Sequence, residues 1–254
     1  MKNRFDVSGR VVIVTGGTKG LGEAIAAAFA DAGARVALCS RNQADCDAVA
    51  ERIAKETDGE VVGIACDVAR WDALPAFVDR VLDRFGRIDV LVNNAGVNPA
   101  PTAIVDVTEE MWDEVLAVNL KGPMRLSALV APRMAEQGGG SIINVGSIGG
   151  KREVPMQSPY AASKAGLIIL SHTMAAEWGK LGVRVNVVNP GPFHTPLMEF
   201  GDSVQPGKMD SYKTRTILGR MGDPEEFVGA IIYLASDAAS YVTGDVHDVA
   251  GGMR

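Results

Sequence analysis

The octapeptide Thr15-Gly16-Gly17-Thr18-Lys19-Gly20-Leu21-Gly22 carries the strongest structural signal in this sequence. It follows an apolar, β-branched run at residues 11–15 and precedes a helical stretch at residues 23–32. Glycines at a turn from strand to helix let backbone amides approach a pyrophosphate closely, and the amino end of a helix favours an anion. The spacing Gly16-x-x-x-Gly20-x-Gly22 is neither GxGxxG nor a P-loop. The turn therefore predicts a dinucleotide site, and the alternative is a tight turn that only requires small residues.

Short β-branched runs alternate with longer helical stretches along the rest of the chain. Parallel strands joined by right-handed crossover helices produce this alternation, and the helices then cover both faces of the sheet. The sequence predicts an α/β fold with a Rossmann-type, doubly wound parallel sheet of about seven strands, in a single domain over residues 1–254. The other predicted strands are 35–39, 61–65, 90–92, 141–145 and 183–188, and the other predicted helices are 43–57, 71–85, 109–135 and 159–180.

Two segments of the last quarter of the chain have a distinct pattern. Asp223, Pro224 and Glu226 are typical of the N-cap, the first turn and the N3 acid of a late helix. Residues 192–214 follow a predicted strand and contain proline, glycine, methionine and histidine with weak periodicity. This pattern predicts a mobile loop or small helical lid over a substrate site. Met198, Phe200 and Met209 would line an apolar pocket there or pack the lid.

The composition excludes several classes of protein. The chain has 254 residues, of which 47% are hydrophobic and 22% charged, as in ordinary globular proteins. Its formal net charge of -6 argues against nucleic acid or a membrane surface as a partner, because both require basic residues. No apolar run reaches the roughly 20 residues of a membrane span. Cys39, Cys46 and Cys66 lack metal-binding spacing, so we expect no metal site and a reduced, cytoplasmic location.

The residues after the second predicted strand indicate which dinucleotide binds. In a doubly wound fold the tip of that strand meets the adenine ribose, where an acid binds the 2′-hydroxyl of NAD and an arginine accommodates a 2′-phosphate. This chain has Ser40 and Arg41 there, no acid, and Lys19 in the glycine turn. A guanidinium can bond a phosphate through two hydrogen bonds. We therefore predict that NADP (NADPH) is preferred and that NAD is possible, the alternative being ordinary solvated charges.

Ser147, Tyr160 and Lys164 form a second constellation. Tyr160 and Lys164 are four residues apart in a helical stretch, so they share one face, and Ser147 follows a strand at the sheet edge where ligands bind. A cation about 4 Å from a phenol contributes on the order of 4 kcal/mol at an effective dielectric of about 20, or roughly three pKa units. Lys164 is therefore expected to lower the pKa of Tyr160 into a working range. The Ser147 hydroxyl could hold and polarise the substrate oxygen.

With these motifs in order, the chain resembles the short-chain dehydrogenase/reductase family over nearly its whole length. The glycine turn, Asn93-Asn94-Ala95-Gly96, Asn189-Pro190-Gly191 and Tyr160-Ala161-Ala162-Ser163-Lys164 are similar to family motifs. The resemblance implies four catalytic residues, Asn119, Ser147, Tyr160 and Lys164, with Asn119 supporting a proton-relay water. It implies a cofactor site formed by Gly16, Thr18, Lys19, Gly20, Leu21, Gly22, Ser40, Arg41, Asp67, Val68, Asn94, Ala95, Gly96, Tyr160, Lys164, Pro190, Gly191 and Thr195.

The resemblance also implies an activity and leaves its substrate open. It implies an NADP(H)-dependent oxidoreductase that transfers a hydride between nicotinamide and a secondary alcohol or ketone, with a small-molecule substrate and a homotetrameric assembly. One branch of the family reduces 3-oxoacyl thioesters on acyl carrier protein. Members of that branch present basic residues for the acidic carrier on the helices that here contain Arg133 and Ala176. Arg133 fits this pattern but Ala176 is not basic, so a sugar or polyol (gluconate-like) dehydrogenase is the alternative. A non-enzymatic NADP-binding sensor is a more remote one.

Overall fold

A computed structural model describes residues 3–253 and contains a single sheet of seven parallel strands. Its strand order, β3-β2-β1-β4-β5-β6-β7, is that of a doubly wound α/β fold of the Rossmann type. The predicted fold class is therefore confirmed. The strands are β1 Val11–Thr15, β2 Arg35–Ser40, β3 Val61–Ala65, β4 Val90–Asn93, β5 Gly140–Val145, β6 Val183–Pro190 and β7 Val246–Val249.

The helices lie on both faces of the sheet, as right-handed crossovers require. Alternate residues of β1 face opposite cores: Val12 and Val14 pack with one group of helices, and Val11 and Ile13 pack with the other. The helices are α1 Gly20–Asp31, α2 Gln43–Thr57, α3 Leu74–Phe85, α4 Glu109–Leu116, α5 Gly122–Glu136, α6 Ser158–Trp178, α7 Pro196–Val204, α8 Lys208–Arg215 and α9 Pro224–Ala235.

The prediction of one continuous helix over residues 109–135 is wrong. A π-helical turn, Ala117–Lys121, separates α4 from α5. The sequence gives the physical reason, because Pro123 has no N–H and cannot donate the helical hydrogen bond to the carbonyl of Asn119. Gly122 also lies so close to another segment that an added Cβ would be 2.5 Å from the carbonyl oxygen of Val68. The break therefore occurs at Asn119, one of the predicted catalytic residues.

In two other parts of the chain, one strand was missed in the sequence and one segment is helical, which is one of its two predicted forms. The seventh strand, β7, was not located in the sequence, because Val246-His247-Asp248-Val249 is short and half polar. The segment 192–214, predicted as a loop or small helical lid, contains α7 and nearly all of α8. The late helix α9 begins as predicted, with a capping box between Asp223 and Glu226. Among residues 3–253, none of the helices combines the length and the apolar character that a membrane span requires.

Asp89, at the amino end of β4, allows a stability test far from the candidate site. Its carboxylate accepts a hydrogen bond of 2.8 Å from the backbone N–H of the fully buried Val11 and binds the guanidinium of Arg87. Asp89→Ala leaves a buried N–H without a partner, so we expect the free energy of unfolding to fall by about 2 kcal/mol. Urea denaturation measures this change. Asp83→Ala, an exposed site, should change the same quantity by less than about 0.5 kcal/mol.

Candidate active site

The carboxyl ends of the strands gather the predicted site residues at one edge of the sheet. The order of the strands reverses between β1 and β4, and ligands of open α/β sheets bind in the crevice at such a point. The glycine turn follows β1 and the motif Asn94-Ala95-Gly96 follows β4, so both flank this crevice. Two cavities occupy this edge, and together they contain most of the predicted residues.

Side-chain hydrogen bonds hold the glycine turn against the residues that follow β4. The hydroxyl of Thr15 accepts hydrogen bonds of 3.0 Å from the backbone N–H groups of Asn94 and Ala95. The amide of Asn94 donates in return to the carbonyls of Thr15 and Gly16. Thr15 is not among the predicted site residues, although a hydroxyl at the end of a central strand could have indicated this contact.

The turn has the backbone that a pyrophosphate site requires. Gly16 has φ of +63°, which L side chains rarely adopt, and an added Cβ would be 2.9 Å from Cα of Ala95. At Gly22 a Cβ would be 2.1 Å from the carbonyl oxygen of Gly16, so only glycine lets α1 begin so close to β1. The first turn of α1 thereby directs its free N–H groups towards the crevice, where an anion is favoured. The residues fit a dinucleotide cofactor.

The first cavity joins the glycine turn to the tips of β2 and β3. Arg41 and Lys19 line it and are exposed, and two acids, Asp45 and Asp67, line it as well. A ligand there would meet the cations of Arg41 and Lys19, where the adenine ribose is expected. It would also meet the carboxylate of Asp67 in the same cavity. The predicted cofactor residues in this cavity are Gly16, Thr18, Lys19, Ser40, Arg41, Asp67, Val68, Ala95 and Gly96.

The second cavity lies between the end of β5, α6 and the helices α7 and α8. Ser147 and Tyr160 line it, together with Met198 and Phe200 from α7, whereas Met209 does not. Among the predicted cofactor residues, Leu21, Pro190, Gly191 and Thr195 also line this cavity, while Gly20, Gly22 and Asn94 line neither cavity. Thr195 caps α7 by accepting a hydrogen bond from the backbone N–H of Met198.

Ser147, Tyr160 and Lys164 are brought together as their spacing predicted. Ser147 lies beside Tyr160, and the Ser147 hydroxyl accepts a hydrogen bond of 3.0 Å from the backbone N–H of Gly149. The Lys164 ammonium is buried, with 4% of the residue exposed, and donates a hydrogen bond of 2.7 Å to the carbonyl of Val145. It lies 5.9 Å from the centre of the Tyr160 ring. Tyr160 and Lys164 on one face of α6 and Ser147 after β5 therefore form a single cluster.

Burial dominates the proton equilibria of this cluster. It raises the pKa of the Tyr160 phenol, an effect that the neighbouring Ser147 hydroxyl opposes and the nearby Tyr212 reinforces. Burial also lowers the pKa of the Lys164 ammonium to about 8. For the groups that the chain itself supplies, the net shift of the Tyr160 pKa is upward, because burial disfavours the phenolate. The expectation that Lys164 lowers this pKa stays a prediction.

Asn119 lies at the π-helical turn, completely buried. Its side-chain oxygen accepts a hydrogen bond of 2.8 Å from the backbone N–H of Val97, and its amide donates to the Val97 carbonyl and to the hydroxyl of Ser163. These bonds join the helix break to the loop after β4 and to α6. Since Pro123 provides no N–H, the backbone carbonyl of Asn119 lacks its normal helical donor. Asn119 thus lies next to the catalytic cluster without lining either cavity.

Comparison with known proteins agrees with this geometry. A family profile described as Enoyl-(Acyl carrier protein) reductase matches residues 16–254. The chain is 38% identical to dehydrogenase/reductase SDR family member 4 of Caenorhabditis elegans, over 99% of this chain and 96% of that protein. It is 39% identical to 3-oxoacyl-[acyl-carrier-protein] reductase of Thermotoga maritima, over 97% of this chain and 98% of that protein.

A solved structure from Beutenbergia cavernae is also similar. It is described as a candidate NAD(P)-dependent gluconate 5-dehydrogenase with bound NADP, and it superposes with a TM-score of 0.93, 35% identity and 98% coverage of both chains. The fold, the site and these matches define a nicotinamide-dependent oxidoreductase that acts on CH–OH or carbonyl groups of small molecules. The chain belongs to the short-chain dehydrogenase/reductase family.

The buried ammonium of Lys164 predicts a pH-dependent stability difference. Its pKa is about 8 in the folded protein against an ordinary 10.5, so at pH 7 burial of the charge costs about 3 kcal/mol of stability. Lys164→Met removes this cost and loses one hydrogen bond, so we expect the free energy of unfolding at pH 7 to rise by about 1 to 2 kcal/mol.

This stability difference should disappear as the pH rises. Between pH 8 and 10.5 the folded parent protein releases the Lys164 proton while the unfolded chain retains it, so the parent gains stability and the advantage of the variant disappears. Urea denaturation at pH 7 and pH 10 measures both values. Lys180→Met, at an exposed position, is the control for losing a positive charge. An advantage that is equal at both pH values would contradict the assignment.

Proposed function

We propose that this protein transfers a hydride between NADP(H) and a secondary alcohol or ketone of a small molecule. The observation that carries the proposal is the cluster of Ser147, Tyr160 and Lys164 beside the crevice that fits a dinucleotide; Ser147 and Tyr160 line the second cavity, and Lys164 is buried behind them. The nicotinamide of the cofactor supplies the hydride donor or acceptor when it is bound. The chain supplies position, proton transfer and electrostatic stabilisation.

The three residues have distinct proposed roles. The Ser147 hydroxyl holds the substrate oxygen in the cavity, because it faces that space and its orientation is fixed by the N–H of Gly149. The Tyr160 hydroxyl donates a proton to that oxygen during reduction and removes it during oxidation. Lys164 keeps a positive charge beside the phenol, which favours the phenolate, and holds the cofactor ribose. Burial of Tyr160 makes this charge necessary, since burial alone raises its pKa.

Asn119 is proposed to position a proton-relay water. Its side chain is fully occupied by Val97 and Ser163, so it cannot itself bind a substrate. Its backbone carbonyl, which lacks a helical donor because of Pro123, is the group that would accept a hydrogen bond from the water. The proton that Tyr160 gives up could then be replaced through Lys164 and this water.

The proposed preference for NADP rests on the cations of the first cavity. Arg41 at the tip of β2 and Lys19 in the glycine turn line the same space, and Arg41 makes no hydrogen bond or ion pair within residues 3–253. A 2′-phosphate would give this guanidinium a partner. The acid Asp45, in the first turn of α2, lines the same cavity and limits the preference.

Two substrate classes remain as proposals. The bacterial relative that reduces 3-oxoacyl thioesters on a carrier protein supports the first, but Arg133 is paired with Glu136 and Ala176 carries no charge for an acidic carrier. The gluconate dehydrogenase neighbour supports the second, a sugar or polyol dehydrogenase. Family membership favours either of these enzymes over a sensor without activity.

Three further features stay proposals: a homotetramer, a single domain and a lid formed by residues 192–214. The lid is supported by the α7 and α8 residues that line the second cavity.

Tyr160→Phe tests the proton-transfer role directly. The variant keeps the ring and loses the hydroxyl, so we expect NADP binding to stay within about threefold of the parent value, whereas turnover falls by about 100- to 10,000-fold. Fluorescence titration measures binding, and absorbance of the reduced cofactor measures turnover with a panel of ketones, sugars and acetoacetyl thioesters. Tyr241→Phe, on an exposed tyrosine, is the matched control. Near-parental turnover of Tyr160→Phe would refute the role.

Arg41→Ala tests the cofactor preference. We expect the parent to have a higher kcat/KM with NADPH than with NADH. The variant should lose about 10- to 100-fold with NADPH and change little with NADH, because a charge-assisted hydrogen bond contributes about 1.5 to 3 kcal/mol. Arg133→Ala, whose guanidinium is paired with Glu136 on α5, should leave both values unchanged. Equal parental efficiency with the two cofactors would contradict the preference.

A further inference from the structure

The second cavity has a positive lining in a protein with a negative net charge. Acidic residues outnumber basic ones by 31 to 25 in the whole chain. Arg152, in the turn after β5, and Lys208, at the start of α8, both line the cavity, whereas no aspartate or glutamate is among its described lining residues. The two cations come from different segments of the chain, Arg152 from the turn after β5 and Lys208 from the proposed lid.

Arg152 has no partner of its own. Its guanidinium makes no hydrogen bond or ion pair within the described chain. The adjacent Lys151 shows that the turn does have a place for a paired cation, since its ammonium lies 2.7 Å from the carboxylate of Asp248. Arg152 instead lies near Tyr212 of α8: burial raises the pKa of the Tyr212 hydroxyl, and the charges of Arg215 and Arg152 oppose that rise. The turn therefore places the Lys151 ammonium against Asp248 of β7 and the Arg152 guanidinium at the cavity.

Lys208 completes the positive lining from the lid side. Its ammonium is partly buried over Gly201 of α7 and makes no hydrogen bond or ion pair among residues 3–253. The nearest acid is Asp202, which attracts the ammonium but uses one carboxylate oxygen to accept a hydrogen bond of 2.9 Å from the backbone N–H of Met209. Two partly desolvated cations without partners are costly unless a ligand supplies the counter-charge.

Asn98 adds a second, independent feature to the cavity. It lies just after the Asn94-Ala95-Gly96 motif and lines the same space, and its side-chain oxygen is buried without a hydrogen-bond partner. A buried acceptor of this kind requires a donor, and a hydroxyl group is the donor that a small alcohol offers. The cavity encloses about 150 Å³. This volume is small beside the roughly 300 to 1,000 Å³ of pockets for drug-sized ligands, so it suits a short molecule.

We propose that the substrate is a small hydroxy or oxo carboxylic acid, that Arg152 and Lys208 bind its carboxylate, and that Asn98 accepts a hydrogen bond from one of its hydroxyls. The inference rests on the proposed function and deepens it by naming the substrate class. A guanidinium binds a carboxylate through two parallel hydrogen bonds, which also orients the molecule. The reacting carbon then lies at the Ser147 and Tyr160 end of the cavity.

Pairs of substrates that differ only in the charged group test this assignment. D-Gluconate and D-glucitol have the same six-carbon chain and secondary hydroxyls and differ at C1, which is a carboxylate in one and a CH2OH in the other; threonate and threitol form a shorter pair. We expect the parent to oxidise the acid with at least a tenfold higher kcat/KM in the pair that it turns over. Arg152→Gln and Lys208→Gln should each lower kcat/KM for the acid by about 10- to 100-fold, mainly through KM, and leave the neutral alcohol unchanged.

The controls separate this inference from the proposed function. Lys213→Gln, on the same helix α8 but paired with Asp210, should change neither substrate, and unchanged turnover of the neutral alcohol shows that each variant is folded. A parent that prefers the neutral alcohol, or variants that change both substrates equally or neither, would overturn the carboxylate site while leaving the oxidoreductase proposal intact. A preference for the alditol phosphate over the acid would indicate that Arg152 and Lys208 bind a phosphate group instead of a carboxylate. Turnover of no alcohol, ketone or thioester with either cofactor would overturn the proposed function itself.

Discussion

The pairing of β1 with β4 is the constraint on which the candidate site depends. Because these two strands are neighbours in the sheet but not in the chain, their crossover connections leave in opposite directions and open a crevice at their carboxyl ends. The hydroxyl of Thr15 and the amide of Asn94 hold the two loops together across this crevice. The same loop after β4 continues to Val97, whose backbone pairs with the side chain of Asn119.

Lys164 shows how function and stability oppose each other in this site. Its ammonium is buried and its single strong partner is a carbonyl, so its pKa falls to about 8. A neutral side chain of similar size would suit the fold better at neutral pH. The role proposed for Lys164 accounts for this cost, since burial raises the pKa of Tyr160 and a nearby cation favours the phenolate.

Charge is distributed unevenly between the two cavities. The first contains cations and acids together, as expected of a site that meets both a phosphate and an adenosine. The second contains Arg152 and Lys208 without a described acid, although the protein as a whole is acidic. A positive cavity under a negative surface attracts anions locally, because the low-dielectric walls concentrate its field.

The sequence by itself determined the fold class, the edge of the sheet that carries the site and the grouping of Ser147, Tyr160 and Lys164. These features follow from local rules: β-branched runs make buried strands, the glycine turn fixes a backbone, and residues four apart share a helix face. Pro123 could also have revealed the break at Asn119, but the apolar periodicity on both sides hid it. Only the tertiary structure placed Arg152 and Lys208 in one cavity, left the side-chain oxygen of Asn98 buried without a partner among the described residues and raised the pKa of Tyr160. Burial and long-range contact decide these properties, and both depend on how distant segments pack rather than on the neighbours of each residue in the chain.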